Sequence, residues 1–149
     1  MSIELTSAAF ADGDTIPDKY ARLGDNVSPP LAWSGVPEGT IELALIVEDP
    51  DAPSGTFTHW IVSGLGPDTE GLAEGELPAR AVEGSNDFGE DGYGGPQPPP
   101  GDPPHRYVFT LLALGSETEL APGTSAVEFH DAVQGNELAR GQLTGRYGR

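Results

Sequence analysis

Cysteine is absent from the sequence, and Lys19 is its single lysine. Without cysteine the chain has no disulfide framework and no thiol chemistry. No apolar run approaches the roughly 20 residues that span a bilayer, and no basic region followed by an apolar run indicates a signal peptide. We therefore expect a cytoplasmic protein that does not insert stably into a membrane.

Positive charge is scarce throughout the chain. The sequence holds 7 Lys and Arg residues against 24 Asp and Glu residues, which gives a formal net charge of −17. This balance excludes a broad basic face for nucleic acid and opposes docking on an anionic membrane. The carboxylates repel one another over a Debye length of about 10 Å in 0.1 M salt, which shrinks to about 3 Å at 1 M. Two interpretations are open, an ordinary acidic protein and a salt-adapted (halophilic) one, and the dearth of lysine favours the second.

Hydrophobic periodicity predicts mostly strands. At 149 residues, the chain is long enough for a single domain, residues 1–149, with a substantial core. Alternating positions predict strands over residues 3–6, 41–49, 57–63 and 105–114. Turn residues predict loops over segments 10–23, 26–37 and 64–83.

A helix is expected only late in the chain. Ser125, with Glu128 three residues later, forms a capping-box pattern, and Gly135 is the expected end of the helix. Its apolar side is formed by Ala126, Val127, Phe129 and Val133. Residues 137–147 are interpreted as a second short helix that turns into a last strand. Strands first and a helix last predict a mostly antiparallel sheet with a helix appended.

Residues 84–104 form a long stretch dominated by glycine and proline, with five glycines in its first half and six prolines in its second. Glycine costs backbone entropy and proline lacks an amide donor, so the stretch is neither a helix interior nor a central strand. Its asparagine, aspartate and aromatic side chains are typical of an anchored functional loop. We predict a rigid rim that delivers His105 to a pocket. Arg106, on the opposite face, is expected to form a structural ion pair with Asp87 or Glu90.

Three ionisable residues fall at or near strand ends on apolar faces. Counting by twos places Asp49, His59 and His105 on the apolar sides of three separate strands, with His59 on the same face as Phe57 and Ile61. An ionisable group in such a place is costly without a partner. We therefore expect the three to meet at the edge of the hydrophobic core.

Two imidazoles and a carboxylate allow four interpretations. They suit an anion site in which the imidazoles donate to phosphate oxygens, a metal site with two histidines and one carboxylate, or acid–base catalysis. In the fourth, each histidine is an ordinary hydrogen-bonded strand residue. The proline-rich rim favours the anion over the metal, because it offers a shaped wall and not a ligand set. No P-loop or dinucleotide-binding fingerprint is present, and no cofactor or metal is predicted.

Several motifs, in order along the chain, match a known family. They are DPDAP at Asp49–Pro53, THW at Thr58–Trp60, NDFG at Asn86–Gly89, GYGGP at Gly92–Pro96 and HRY at His105–Tyr107. NVSPPLAW at Asn26–Trp33 and LTGRYG at Leu143–Gly148 extend the match over nearly the whole chain. The sequence resembles the phosphatidylethanolamine-binding protein family, in particular its prokaryotic Raf kinase inhibitor-like branch.

The resemblance implies a β-sandwich-like fold with a large central antiparallel sheet, a smaller sheet and a C-terminal helix. It also implies a small pocket for phosphoryl groups, such as a phospholipid headgroup or a phosphate ester. By position, the ligand-binding residues are then Asp49, His59, His105, Tyr107, Gly95, Gln97, Pro98 and Pro99. The family often holds a cis proline in the DPDAP bend, here at Ala52–Pro53, and its prokaryotic members are often homodimers.

Two departures from the family concern the rim. Many prokaryotic members carry a cysteine where this chain has Gln97, a larger group that both donates and accepts hydrogen bonds, so rim shape and ligand choice are expected to differ. The loop is short of the insertions that eukaryotic members use in signalling, so kinase inhibition is not carried over.

These observations favour non-enzymatic binding of a small phosphorylated or anionic ligand. We expect this binding to serve a regulatory role. One alternative is a protein-interaction regulator, of the kinase- or protease-inhibitor kind, whose pocket acts as a switch. Another is a hydrolase or a metal-dependent enzyme, which the lack of an obvious nucleophile on a strained turn places last.

Overall fold

The computed structural model describes residues 2–149. Its strands are β1 (Glu4–Thr6), β2 (Leu31–Ser34), β3 (Glu42–Asp49), β4 (Phe57–Leu65), β5 (Gly71–Leu72), β6 (Val82–Glu83), β7 (His105–Leu114) and β8 (Glu137–Tyr147). A short 3₁₀ helix covers Asp18–Tyr20, and helix α1 covers Ala126–Val133. Among these described residues, no helix is both long and apolar enough to cross a bilayer.

Two antiparallel sheets pack face to face. The larger has five strands in the order β6-β4-β3-β7-β8, and the smaller has three in the order β1-β2-β5. Side chains from both sheets form the main core, among them Trp33 from the smaller sheet and Leu45 and Phe109 from the larger. The predicted architecture, a large antiparallel sheet with a smaller sheet and a C-terminal helix, is confirmed.

The central strand β3 is buried on both faces. Leu43 and Leu45 pack into the core between the sheets, whereas Ala44 and Ile46 pack into a second core beneath α1. β3 has a strand on each side and a packed core on each face. The backbone at its end, at Asp49, is therefore held rigidly and can position side chains accurately.

Helix α1 begins at the predicted capping box. The Ser125 hydroxyl accepts from the Glu128 amide at 3.1 Å, and the Glu128 carboxylate accepts from the Ser125 amide at 2.9 Å. Phe129 and Val133 bury the helix against the larger sheet. Val127 is 70% exposed, so its assignment to the apolar side is wrong. An eight-residue helix presents only a narrow stripe to the sheet, and Val127 lies outside it.

Residues 137–147 form one strand, so the predicted last strand is confirmed, whereas the short helix expected to lead into it is wrong. β8 pairs with β7 along its whole length, and every second residue from Ala139 to Tyr147 is buried. One of these is Gly141, where an added Cβ would lie 2.3 Å from the Ile3 carbonyl oxygen. The helix-forming residues at 137–140 favoured a helix, but pairing with β7 and close packing on the N-terminal segment decide the conformation.

Short strands lie within two of the segments predicted as loops. β2 falls within residues 26–37, and β5 and β6 fall within residues 64–83. Each is held by a neighbour across the sheet, as Leu31 is opposite Leu72. Strands of two to four residues are too short for alternation to indicate them, because their pairing partners are distant in the sequence.

Candidate ligand-binding pocket

Three strand ends meet at one edge of the larger sheet. β3 ends at Asp49, and its antiparallel neighbours β4 and β7 begin there, at Phe57 and His105. Antiparallel neighbours start where the central strand stops, so Asp49, His59 and His105 share this edge. Their exposed fractions are 3%, 3% and 5%. The structure thus places together the three residues that the strand pattern selected.

His59 reaches the pocket through a β-bulge. The pairing of β4 with β3 shifts between Val47 and Glu48, which leaves His59 as an extra residue. Strict alternation would put it on the face of Ile61, which packs beneath α1. That expectation is wrong, because the bulge breaks the alternation. The ring of His59 instead lies against Tyr107, with 5.1 Å between ring centroids.

Asp49 uses both of its carboxylate oxygens within the protein. Oδ2 accepts from Nδ1 of His105 at 2.7 Å, and Oδ1 accepts from the Asp51 amide at 2.7 Å. Burial alone would lower the pKa of His105, but hydrogen bonds and charges from Asp49 and Asp102 outweigh burial and raise it. His105 therefore keeps its proton, and its positive charge, to a higher pH than an ordinary histidine.

His59 is anchored by the backbone of the rim. Its Nδ1 donates to the Gly94 carbonyl at 2.7 Å, and the Gly94 amide donates back to the His59 carbonyl at 2.9 Å. A carbonyl only accepts, so Nδ1 carries the proton. Burial lowers the pKa of His59 in spite of this bond. The two imidazoles are therefore unlike: His105 holds its positive charge to a higher pH than His59 does, and His59, when neutral, presents its Nε2 as an acceptor.

These side chains line a cavity of about 180 Å³. It is smaller than the roughly 300–1,000 Å³ of cavities that hold drug-sized ligands, so its size suits a small polar group. Burial, followed by the nearby charge of Asp49, raises the pKa of the Tyr107 phenol, which therefore stays protonated. The other lining residues are Ala52, Pro53, Phe57, Phe88, Gln97, Pro98 and Pro99.

The rim contributes three of its four predicted residues to the cavity wall, namely Gln97, Pro98 and Pro99. Gly95 does not line the cavity. Its amide donates to Asn26 Oδ1 at 2.8 Å, and an added Cβ would lie 2.1 Å from the Tyr20 carbonyl oxygen. Gly95 therefore lets the rim pack closely on the 3₁₀ helix, and its part in the site is to hold the rim in place.

The NDFG turn brings an aromatic ring into the wall. Asn86 Oδ1 accepts from the Phe88 amide at 2.9 Å, and Asp87 Oδ2 accepts from the Thr58 amide at 2.7 Å. These bonds fix the turn on β4, and the Phe88 ring packs against His59 with 5.5 Å between centroids. The turn therefore closes one side of the cavity.

Sequence analysis missed four wall residues, Phe57, Phe88, Ala52 and Pro53. Two signals were available for the aromatic pair: Phe57 stands two residues before His59, and Phe88 stands within NDFG, whose asparagine favours a tight turn. The bend residues carried no signal of their own, because only the pairing of β3 with β4 and β7 turns them toward the pocket.

The outer side of the rim is tied to distant parts of the chain. The Arg149 Nε donates to the Pro98 carbonyl at 2.7 Å, and the Gly101 amide donates to the Arg149 carbonyl at 3.1 Å. The Arg22 amide donates to the Pro96 carbonyl at 3.0 Å. A proline-rich loop has few backbone amides with which to form hydrogen bonds within itself. The hydrogen bonds to Arg149 and Arg22 therefore fix its conformation.

Arg106 holds the DPDAP bend. Its Nε and Nη2 donate to the two oxygens of Asp51 at 3.0 and 2.9 Å, and these bonds lower the pKa of Asp51 to about 2. The prediction of a structural ion pair is right, but the partner is Asp51 and not Asp87 or Glu90, because β3 delivers the bend beside β7. The Ala52–Pro53 bond is trans, as are all peptide bonds within residues 2–149, so the cis-proline expectation is wrong.

The pocket is poorly arranged for a metal ion. Both Asp49 oxygens and the Nδ1 atoms of both histidines are already hydrogen-bonded. Within residues 2–149, no group of three or more His, Asp or Glu side chains is placed to hold a metal. The remaining polar atoms of the two rings are their Nε2 atoms, of which that of His105 lies 3.3 Å from Asp102 Oδ2. Imidazole nitrogens suit the oxygens and hydroxyls of an oxyanion.

Comparison with known proteins agrees with this description. Residues 6–148 match the phosphatidylethanolamine-binding protein family. The chain belongs to that family. The family resemblance read from the sequence motifs is therefore confirmed.

Relatives in this family extend over the full length of the chain. The chain is 45% identical to the UPF0098 protein of Methanothermobacter thermautotrophicus over 152 residues, covering 99% of each. A solved Chlamydia trachomatis structure, described as a family homologue, has 41% identity and a TM-score of 0.92, with 99% of this chain and 98% of that one covered. E. coli YbcL, described as a new member of the mammalian family, has 33% identity and a TM-score of 0.95, with 100% and 99% covered.

Proposed function

We propose that this protein binds a small phosphorylated or otherwise anionic ligand, a phosphate ester or a phospholipid headgroup, in the pocket of Asp49, His59 and His105. One observation carries the proposal. Both imidazoles are anchored through Nδ1, one by Asp49 and one by Gly94, and both rings line the same cavity. Their Nε2 atoms are thus the polar groups that a ligand would meet, and that of His105 lies 3.3 Å from the partly exposed carboxylate of Asp102.

The unlike states of the two rings favour a monoanionic oxyanion. Cationic His105 suits an ionised oxygen, because charge-assisted hydrogen bonds are the strong ones. Neutral His59 suits a protonated oxygen, which would donate to its Nε2. A phosphoryl group with one ionised oxygen and one hydroxyl offers both.

We further propose that binding occurs without turnover. The lining residues of the cavity include no serine, threonine or lysine, and both oxygens of Asp49 are occupied. A phosphorus centre in this cavity would therefore meet no activated hydroxyl or amine nucleophile. A phosphate ester kept with the protein should give an unchanged ³¹P spectrum, and appearance of free phosphate would contradict this proposal.

Titration with inorganic phosphate and with phosphoethanolamine tests the binding proposal. In concentrated KCl, we expect the imidazole NMR signals of His59 and His105 to shift together and to saturate at one dissociation constant. Buried charges are screened by salt much less than exposed ones, so the response should survive the salt. Replacing His59→Gln removes one imidazole partner and should weaken binding about tenfold.

His130 is a control within the same molecule. It lies on the exposed side of α1, where its Nε2 is 3.0 Å from Glu48 Oε2, away from the cavity-lining residues. Its signal should not follow the saturation curve, and His130→Gln should bind phosphate like the unaltered protein. Pocket signals that stay still, or that move only together with His130, would overturn the proposal.

Salt adaptation is a second proposal, supported by the ion pairs. Within residues 2–149, four of the lysine and arginine side chains pair with carboxylates, namely Lys19 with Glu74, Arg22 with Glu90, Arg106 with Asp51 and Arg140 with Glu137. Most of the 24 acidic residues therefore have no such partner. We expect the thermal unfolding midpoint to fall on dialysis from molar KCl to low salt, since self-repulsion is then unscreened. NaCl should restore it and sucrose should not, and full stability at low salt would contradict the proposal.

A further inference from the structure

The rim carries a carboxylate that contacts a pocket histidine. Oδ2 of Asp102 lies 3.3 Å from Nε2 of His105. Asp102 closes the proline turn, where its amide donates to the Pro99 carbonyl at 3.3 Å. Gly101 precedes it with a φ of 87°, a left-handed conformation that glycine adopts without strain. The turn thus brings Asp102 back to the pocket edge.

Asp102 occupies the atom of His105 that an anionic ligand needs. Nδ1 of His105 already donates to Asp49 at 2.7 Å, so Nε2 is its only remaining donor. Carboxylates and phosphoryl groups are both acceptors, and one N–H cannot bond both well. The Asp102 side chain is 41% exposed, so water is available to it as an alternative partner.

We propose that Asp102 is a built-in competitor of the ligand and selects among anions by their charge. The inference rests on the proposed function, because it concerns an anion bound at His105. An entering anion displaces the Asp102 carboxylate from Nε2 but remains close to it. Repulsion between them grows with the ligand's charge, so the pocket favours a singly charged phosphoryl group over a doubly charged one.

The two carboxylates on His105 therefore have opposite roles. Asp49 is buried and accepts from Nδ1, and it supports the positive charge of the ring. Asp102 contacts Nε2, the donor that a bound anion would use, and takes the place of the ligand there. Neutralising Asp102 should strengthen anion binding, even though Asp102 also helps to raise the pKa of His105.

The test compares two probes on two proteins. Inorganic phosphate, at a slightly alkaline pH where it is mostly a dianion, and dimethyl phosphate, a monoanion, are titrated into the unaltered protein and into Asp102→Asn. The asparagine keeps the size of the side chain and removes its charge. We expect Asp102→Asn to bind phosphate about three- to tenfold tighter. The gain combines two effects: the ligand no longer has to displace a partly exposed ion pair, and the carboxylate no longer repels it. The affinity for dimethyl phosphate should rise less than about threefold in Asp102→Asn relative to the unaltered protein.

Two controls separate the possible failures. Glu38→Gln removes the same charge from an exposed turn at the opposite end of β3, and should leave both affinities unchanged. Without ligand, the ¹⁵N signal of His105 Nε2 should shift in Asp102→Asn and not in Glu38→Gln. A His105 signal that does not shift, an unchanged or weaker phosphate affinity, or equal gains for both probes would overturn the role of Asp102 alone. Absence of binding of either probe to either protein would overturn the proposed function, and the inference with it.

Discussion

Asparagine in place of Asp49 is expected to weaken phosphate binding about tenfold, the difference between a charge-assisted and a neutral hydrogen bond. The substitution keeps the shape of the side chain but removes the charge that supports cationic His105. Asparagine also offers one acceptor where the structure needs two, for the Asp51 amide and for Nδ1 of His105. Nδ1 of His105 then faces an amide donor. We therefore expect the ring to lose its proton from Nδ1, to keep the proton on Nε2 and to become neutral.

The same substitution should change how stability depends on pH. His105 has a raised pKa in the folded protein, so its pairing stabilises the fold below the unfolded pKa of about 6.5, and this contribution is lost as pH rises through the folded pKa. His59 has a lowered pKa and acts in the opposite sense, because its stabilisation is lost as pH falls through the unfolded value. In Asp49→Asn the His105 contribution should disappear, and the loss of stability on acidification should become steeper.

Calorimetric phosphate titrations and denaturant unfolding at several pH values measure both effects. Glu38→Gln is the matched control, since it also removes one carboxylate, and it should behave like the unaltered protein in both experiments. A phosphate affinity within twofold of the unaltered value, at a pH where His105 is charged in that protein, would contradict the role assigned to Asp49.

Alanine in place of Gly95 is expected to destabilise the protein by about 3 kcal/mol, from overpacking and lost hydrogen bonds together. The added Cβ would lie 2.1 Å from the Tyr20 carbonyl oxygen and 2.8 Å from the Arg22 nitrogen. Both are backbone atoms, which cannot rotate away, so the rim must withdraw. That movement would break the bond from the Gly95 amide to Asn26 and displace Gln97 from the cavity.

Unfolding in guanidinium chloride measures the loss of stability. The dependence of the unfolding free energy on denaturant concentration, the m-value, is held constant between variants. Gly115→Ala is the control. There the nearest atom to an added Cβ is a side-chain carbon of Leu138 at 3.5 Å, an ordinary contact, and stability should change by less than about 1 kcal/mol. Gly95→Ala should also weaken phosphate binding, whereas Gly115→Ala should not. Equal stabilities for the two variants would contradict the packing role of Gly95.

Local pattern was sufficient for much of the fold. β7 spans the predicted residues, 105–114, and α1 starts at the predicted capping box, because alternation and capping depend on residues that are close in the sequence. The first part of β8 was mistaken for a short helix because its conformation depends on pairing with β7 and on the packing of Ile3 against Gly141. Neither contact can be recognised from the residues of the strand alone.

The site was predictable in its residues but not in its geometry. Motifs and strand ends selected Asp49, His59 and His105, since each motif is specific and the three strands are distinct. Alternation gave the wrong face for His59, because a bulge depends on the register between two strands. The contact between Asp102 and His105 was not foreseen either, because it depends on the path of an irregular loop.

Two backbone hydrogen bonds to residues late in the sequence have a consequence for a chain made on a ribosome. The Ile3 amide donates to the Arg140 carbonyl at 3.0 Å, and the Gly101 amide donates to the Arg149 carbonyl at 3.1 Å. Both partners lie late in the sequence, so neither bond can form while only the first hundred or so residues have been synthesised. A nascent chain can pair β3 with β4, but its rim lacks the hydrogen bond to Arg149 until that residue emerges. The proposed ligand binding therefore depends on residues that are made late, and we expect a ribosome-stalled fragment without β8 not to bind phosphate.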